Sequence, residues 1–168
     1  MSAQLHPPVS QRNSNGAVFK PEVRLQALSI NDLDALLAIE QRAYSHPWTR
    51  GNFTDALASG YQIQLLKGGT ELLGYFVAMP GVDEAHLLNL TVAPEFQGQG
   101  WARLLLDALA LWARGQKAQW LWLEVRVSNL RARQIYERYG FRRVGERKRY
   151  YPAADGGRED AIVMSVPL

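Results

Sequence analysis

One stretch in the middle of the chain, residues 88–114, constrains the fold more than any other. Residues 88–92 have the composition of a strand, and the turn that follows, residues 93–102, contains two glycines. Apolar residues then recur at helical spacing, which predicts a helix packed deeply against a sheet. A strand that leads through a turn into such a helix is typical of a layered α/β domain. The apolar residues that recur at helical spacing are Ala102, Leu105, Leu106, Leu109, Trp112 and Ala113.

The glycine turn also predicts an anion site. Gly98 and Gly100 remove side chains where a ligand would approach the backbone. The first N–H groups of the following helix have no partner within the helix, and they lie at the positive end of its dipole. Both effects favour a phosphate or a diphosphate at this point.

Two of the three phosphate loops that could explain the turn fit poorly. A Walker loop needs Lys and then Ser or Thr after its last glycine, where this chain has Trp101 and Ala102. A dinucleotide fingerprint needs a third glycine at Arg103 and no spacer such as residues 93–97. Glu124 alone favours it, because an acid that ends the next strand could bind a ribose.

The third loop fits better. The pattern Gln97-x-x-Gly100-x-Ala102 after Val-x-Pro resembles the acetyl-CoA diphosphate loop of the GCN5-related N-acetyltransferase (GNAT) superfamily. The block at residues 123–129, Leu-Glu-Val-Arg-Val-Ser-Asn, extends the resemblance, as do residues 135–141 and the closing Arg-Tyr-Tyr-Pro at 149–152. By motif order, residues 23–166 are similar to the bacterial ribosomal-protein-alanine N-acetyltransferases, the RimI branch.

The order of predicted elements is β-α-α-β-β-β-α-β-α-β-β, and it indicates an α/β protein with a mixed sheet of about seven strands and about four helices. We expect one domain at residues 22–168, which is the single-domain GNAT fold that the resemblance implies. Residues 1–21, rich in Ser, Gln, Asn and Pro, predict a disordered N-terminal extension. The predicted helices begin after Ser29, Thr49, Gly100 and Ser128 or Asn129, and the predicted strands are 23–28, 61–67, 72–79, 85–92, 120–125, 141–150 and 160–166.

Composition excludes several classes of function. The chain has no cysteine, so disulfides and thiolate chemistry are excluded, and its three histidines form no cluster with metal-ligand spacing. No apolar run reaches the roughly 20 residues of a membrane span, and no signal-peptide pattern is present, so we expect a cytoplasmic protein. The net charge of +3 permits an anionic ligand without requiring nucleic acid, and we expect a monomer or weak dimer.

Two residues are candidates for acid–base chemistry on an amine and a thioester. A peptide α-amine with a pKa of about 8 must lose a proton to attack, and the departing thiolate must gain one. Glu124 lies on a strand of Trp and Leu, where desolvation would raise its pKa and suit a general base. It could instead be a surface glutamate paired with Arg126. Tyr136 could protonate the thiolate, or it could be a core tyrosine; the resemblance implies the base role for Glu124 and the acid role for Tyr136, not Tyr139.

The resemblance also implies the contacts to acetyl-CoA, the expected cosubstrate. The backbone of Leu90, Thr91 and Val92 would pair with the pantetheine amides, which requires an unpaired strand edge. Asn129 would contact the coenzyme and could also cap a helix. The expected diphosphate contacts are Gln97, Gly98, Gln99, Gly100, Trp101, Ala102 and Arg103.

The acceptor pocket is predicted from three aromatic residues, Trp48, Tyr150 and Tyr151; Trp48 could equally staple two short helices together. The resemblance implies transfer of acetyl to the N-terminal α-amine of a protein, an alanine-starting ribosomal protein, with no direct nucleic-acid or membrane partner. Three alternatives stay open: an acetyltransferase for lysines or small amines, a dinucleotide-dependent oxidoreductase and a non-catalytic acyl-CoA-binding module.

Overall fold

The computed structural model describes residues 11–12, 18–19 and 22–168, and it has the predicted α/β architecture. The prediction of a disordered extension concerns residues 1–21, which lie mostly outside the described part, and it stays a prediction. The strands are β1 (Gln11–Arg12), β2 (Val18–Phe19), β3 (Val23–Ala27), β4 (Gln62–Gly68), β5 (Glu71–Pro80), β6 (Glu84–Val92), β7 (Trp120–Arg126), β8 (Arg142–Pro152) and β9 (Arg158–Pro167). The α-helices are α1 (Leu33–Ala43), α2 (Arg50–Ala58), α3 (Trp101–Gly115) and α4 (Leu130–Tyr139).

Seven strands form one mixed sheet in the order β3-β4-β5-β6-β7-β9-β8, which confirms the predicted fold class. Each neighbouring pair is antiparallel except β6 and β7, which run parallel. That parallel pairing joins only residues 84–87 to residues 120–123. Beyond it the two strands separate, so residues 88–92 keep β5 on one side and pair with no described strand on the other.

The helices cover the two faces of the sheet with separate hydrophobic clusters. The apolar face of α3, including the fully buried Leu105, Leu106 and Leu109, packs with α4 against β5, β6, β7 and β9. On the other face, α1 and α2 pack mainly on β4 and β5 through residues such as Phe53 and Tyr75. Neither of the two helix layers fills the space between the separated ends of β6 and β7, so this space stays open.

The structure shifts some predicted boundaries. The last two strands extend toward each other beyond the predicted ends at 150 and 160, because Pro152 pairs with Arg158 and only residues 153–157 connect β8 to β9. The helix predicted after Ser29 begins as a 3₁₀ turn, Ile30–Asp32, and α1 starts at Leu33. The Asp32 carboxylate accepts from both the backbone N–H and the hydroxyl of Ser29, at 3.2 and 2.7 Å, which holds this tighter turn in place.

Candidate active site

The separation of β6 from β7 opens a cleft with a volume of about 1010 Å³. Its walls come from α1, β6, the glycine turn, α3, β7, α4 and the end of β8. The cleft therefore reaches both the unpaired edge of β6 and the N-terminus of α3. From the sequence, these two features are predicted to bind the same ligand.

The free edge of β6 carries the residues expected to bind pantetheine. Leu90, Thr91 and Val92 all line the cleft. The side chain of Thr91 is buried and bonded to Tyr44 and Asn89, at 3.0 and 2.8 Å, so it is not free to bind a ligand. The carbonyl of Leu90 already accepts a hydrogen bond of 2.9 Å from the Tyr44 hydroxyl, which leaves the edge open on each side of that point.

The glycine turn has the geometry of an anion cradle. Gly98 and Gly100 have φ of +78° and +89°, the left-handed region that other residues rarely adopt. The N–H groups of residues 98–102 have no hydrogen-bond partner in the part of the chain that the structure describes. Gln97 donates from its side-chain amide to the carbonyl of Val92 at 3.1 Å and fixes the turn to the end of β6. The residues present therefore fit a diphosphate.

Two residues of the turn, Gln99 and Trp101, offer a diphosphate only their backbone N–H groups. Trp101 is buried in the core beneath the turn, and its indole N–H donates to the side-chain oxygen of Gln99 at 3.3 Å. Gln99 does not line the cleft. Since both side chains are committed to each other, a diphosphate would meet only the N–H groups of these two positions.

The remaining coenzyme candidates also line the cleft. Arg103 lies at the start of α3, with its Nε 3.5 Å from Asp107 and its guanidinium 5.1 Å from the centre of the Tyr139 ring. Asn129 accepts from the N–H of Ala132 at 3.1 Å and caps α4. The cap uses the side-chain oxygen of Asn129, so its amide group can still donate to a ligand.

Glu124 lies on β7 just beyond the point where β7 leaves β6, and it lines the cleft. Its side chain is 11% exposed, and its Oε1 lies 3.0 Å from the Nε of Arg147 on β8. The sequence offered Arg126 as the partner, but Arg126 pairs with Glu159 at 3.2 Å. Strand order explains the difference, because β9 lies between β7 and β8 and the sequence does not show which arginine reaches across it.

Tyr136 lies on α4 with its ring against Phe141, 5.6 Å between centroids, and it lines the same cleft as Glu124. The residue is only 8% exposed, and burial raises the pKa of its phenol, so the hydroxyl keeps its proton at neutral pH. Tyr139 differs, since its hydroxyl donates to the carbonyl of Leu106 at 3.1 Å. Of the two tyrosines, Tyr136 is therefore the one with a hydroxyl available for chemistry.

The acceptor candidates divide between the cleft and the surface. Trp48 and Tyr151 line the cleft, whereas Tyr150 is 41% exposed and does not. The Tyr151 hydroxyl donates to the Glu124 carbonyl at 3.0 Å, and burial raises its pKa. Trp48 packs on Phe53 at 5.2 Å, so it lines the cleft and staples the chain before α2 to that helix.

Sequence reasoning missed a buried polar network next to the acceptor side of the cleft. Glu40 on α1 is 1% exposed and accepts from the Tyr75 hydroxyl, from the Asn89 amide at 3.2 and 3.3 Å, and from the backbone N–H of Trp48 at 2.8 Å. Asn89 bonds on to Thr91 at 2.8 Å. The available signal was a carboxyl group on the otherwise apolar face of α1, without any pattern that names its partners.

A family model confirms the superfamily prediction. Residues 33–141 match the model described as "Acetyltransferase (GNAT) family". The chain belongs to this family, so the predicted N-acetyltransferase class is confirmed, with acetyl-CoA as the cosubstrate.

The relatives of this chain point to one branch of the family. It is 40% identical over 137 residues to a [ribosomal protein bS18]-alanine N-acetyltransferase of Haemophilus influenzae, covering 82% of this chain and 93% of the relative. The Escherichia coli protein of the same name is 39% identical over 145 residues, with coverage of 86% and 97%. The crystal structure of the ribosomal-protein-S18-alanine N-acetyltransferase from Escherichia coli matches with a TM-score of 0.79, 37% identity and coverage of 87% and 94%.

Two features are absent from residues 22–168 and from the two short strands before them. No helix there is long and apolar enough to cross a membrane. No group of three or more histidine or acidic side chains in that part of the chain has the arrangement of a metal site.

Proposed function

We propose that the cleft transfers the acetyl group of acetyl-CoA to the N-terminal α-amine of a protein, and that an alanine-starting ribosomal protein of the S18 type is the acceptor. One observation supports this most: Glu124 and Tyr136, from two different elements, line the same cleft as the open edge of β6 and the glycine turn. The relatives named as ribosomal-protein-alanine N-acetyltransferases supply the acceptor class.

The coenzyme would be held mainly by backbone groups. Pantetheine amides would pair with the free edge at residues 88–92 as an added strand. The diphosphate would accept from the N–H groups of residues 98–102 at the positive end of α3. Asn129, on the other wall, would donate from its side-chain amide. These contacts fix the direction in which acetyl-CoA lies in the cleft.

The chain's own residues would then move two protons. Glu124 takes a proton from the acceptor ammonium, directly or through a water, so that the neutral amine attacks the thioester carbonyl. The C–S bond breaks as the amide forms, and Tyr136 donates its phenolic proton to the departing sulfur. The second proton of the attacking nitrogen returns to the phenolate, directly or through a water, and Glu124 releases its proton to solvent. No covalent enzyme intermediate is needed, because amine and thioester meet in one ternary complex.

The acceptor side supports a peptide terminus entering beside Trp48 and Tyr151. Tyr151 is fixed by its bond to the Glu124 carbonyl, and the backbone of Trp48 is fixed by Glu40. An N-terminal amine that passes between these aromatic side chains would arrive at the carboxyl group of Glu124. Arg147 already pairs with Glu124, so the arriving ammonium would compete with its guanidinium.

The test is a panel of peptides incubated with the protein and acetyl-CoA. The peptides differ in their first residue, and each exists with a free and a blocked α-amine and with one internal lysine. We expect the alanine-starting peptide to gain a single acetyl group on its α-amine, located by fragmentation mass spectrometry. Acetylation of the internal lysine in the blocked peptide, with none on the α-amine of the free one, would contradict the proposal.

A further inference from the structure

An arginine of α4 lies against the glycine turn, although the loop pattern in the sequence does not include it. The Nη1 of Arg131 donates to the side-chain oxygen of Gln97 at 2.9 Å. Its Nη2 lies 3.9 Å from the position that a Cβ on Gly98 would occupy. The guanidinium therefore lies beside the side of Gly98 that has no side chain, next to the anion cradle.

No carboxylate in the described part of the chain neutralises the charge of Arg131. Four arginines of the described chain line the cleft. Arg103 pairs with Asp107 and Arg126 with Glu159, whereas Arg131 and Arg138 pair with no carboxylate among the residues that the structure describes. Arg131 has five N–H donors, and the bond to Gln97 uses one of them.

Two sources of positive potential thus meet at one place. The unpaired N–H groups of residues 98–102 lie at the positive N-terminal end of α3. The guanidinium of Arg131 reaches the same turn from α4. An oxyanion at this point would accept from backbone donors and from a charged fork together. Arginine suits such a contact because its planar donors match two phosphate oxygens.

We propose that Arg131 is a coenzyme-binding residue that contacts the diphosphate of acetyl-CoA from α4. This inference rests on the assignment of the glycine turn to the diphosphate under the proposed function. In the free protein Arg131 holds Gln97, and Gln97 holds the end of β6, so the same side chain also orders the turn before the coenzyme arrives.

The test compares three ligands on the Arg131→Gln variant: acetyl-CoA, its 3′-dephospho form and S-acetylpantetheine, which has no phosphate. Calorimetry gives Kd for the first two, and an NMR titration to millimolar concentration gives the third. We expect Kd to rise by the same factor for both nucleotide ligands, roughly tenfold for one charge-assisted hydrogen bond. We expect Kd for S-acetylpantetheine to stay unchanged.

Arg133→Gln is the matched control, because Arg133 is on the same helix but does not line the cleft. It removes the same charge, and we expect it to leave all three Kd values within twofold. An equal loss for all three ligands in Arg131→Gln would overturn the inference, since the residue would then act only by ordering the turn. A loss confined to acetyl-CoA would overturn it as well, because the contact would be to the 3′-phosphate.

No loss in Arg131→Gln would also overturn the inference. Failure of the proposed function appears in a different measurement, namely the unmodified protein leaving the alanine-starting peptide unacetylated at saturating acetyl-CoA. The binding comparison does not depend on that result, so the two failures are distinguishable.

Discussion

The two sides of the cleft are built in different ways. Most of the coenzyme half is one continuous segment, residues 88–103, that offers backbone N–H groups, an open strand edge and two glycines with positive φ. Asn129 and Arg131 are its proposed side-chain contacts from outside that segment. The acceptor half, which comprises α1, residues 44–48 and Tyr151, is held by side-chain bonds between distant segments, such as those from Glu40 to Tyr75 and Asn89. A ligand common to many enzymes can thus be bound by local backbone geometry, whereas the acceptor pocket depends on tertiary packing.

The largest expected effect is at Glu124, which lies where the two halves meet. Glu124→Gln should lower kcat by about 10²–10⁴-fold, the range for loss of a general base, with Kd for acetyl-CoA within twofold. Stopped-flow assays and calorimetry measure the two quantities. Glu137→Gln, an exposed carboxyl on α4, is the control.

Arg147→Gln separates loss of the base from loss of its ion pair, and we expect it to lower kcat less than Glu124→Gln does. Full activity in Glu124→Gln would remove the base from the mechanism.

The next largest effect is expected in the acceptor half. Glu40→Ala leaves the Tyr75 hydroxyl, the Asn89 amide and the Trp48 N–H without their acceptor, and should lower the free energy of unfolding by about 3 kcal/mol. Urea denaturation measures this, and Glu40→Gln, which keeps one acceptor oxygen, should lose less. In folded protein, KM for the peptide should rise more than Kd for acetyl-CoA. The reverse ranking would break the distinction between the halves.

Tyr136→Phe should have a smaller effect on turnover than loss of the base. A thiol has a pKa of about 8.5, so its anion leaves without full protonation, and we expect kcat to fall roughly tenfold to a hundredfold. Tyr139→Phe is the control, because it removes a bond to the Leu106 carbonyl and should cost about 1 kcal/mol of stability with kcat preserved. If Tyr139→Phe lowered kcat and Tyr136→Phe did not, the acid would be misassigned.

Gly100→Ala tests the coenzyme half alone. An added Cβ would meet nothing within 4 Å, so the cost arises from φ of +89° and should be about 1–2 kcal/mol of stability. Kd for acetyl-CoA should rise several-fold while KM for the peptide holds. Gly115 also has open space around an added Cβ, but its φ is not positive. Gly115→Ala should therefore leave Kd for acetyl-CoA and KM for the peptide unchanged. Equal effects of the two substitutions would show that backbone strain at the turn is unimportant.

The smallest effect is an acid dependence at the start of α1. The Lys67 side chain, 2.6 Å away, holds the pKa of Asp32 below its usual range. Its stabilising contribution is therefore complete above the pKa of the unfolded carboxyl, about 3.9, and is lost as pH falls through the lower folded pKa. As pH falls below 4, the Asp32→Asn variant should lose less of its free energy of unfolding than the unmodified protein does. We expect the difference, measured by urea denaturation, to be less than about 1 kcal/mol. An unchanged slope would exclude this contribution.

The same contrast explains how much the sequence predicted. The order of elements and the residues of the glycine turn could be read locally, since hydrophobic period, glycines and caps act within a few positions. The partner of Glu124 depended on β9 lying between β7 and β8, and Arg147 is as plausible in sequence as Arg126. The network around Glu40 and the reach of Arg131 to Gln97 likewise join segments that no local pattern connects.

The most direct test of the account is a crystal structure of the protein with CoA and an alanine-starting peptide. We predict the diphosphate against the N–H groups of residues 98–102, pantetheine along residues 88–92, and the peptide α-amine within hydrogen-bond or one-water reach of Glu124, with the CoA sulfur facing the Tyr136 hydroxyl. A diphosphate bound away from the glycine turn, or a Glu124 carboxyl group directed away from the amine, would contradict it.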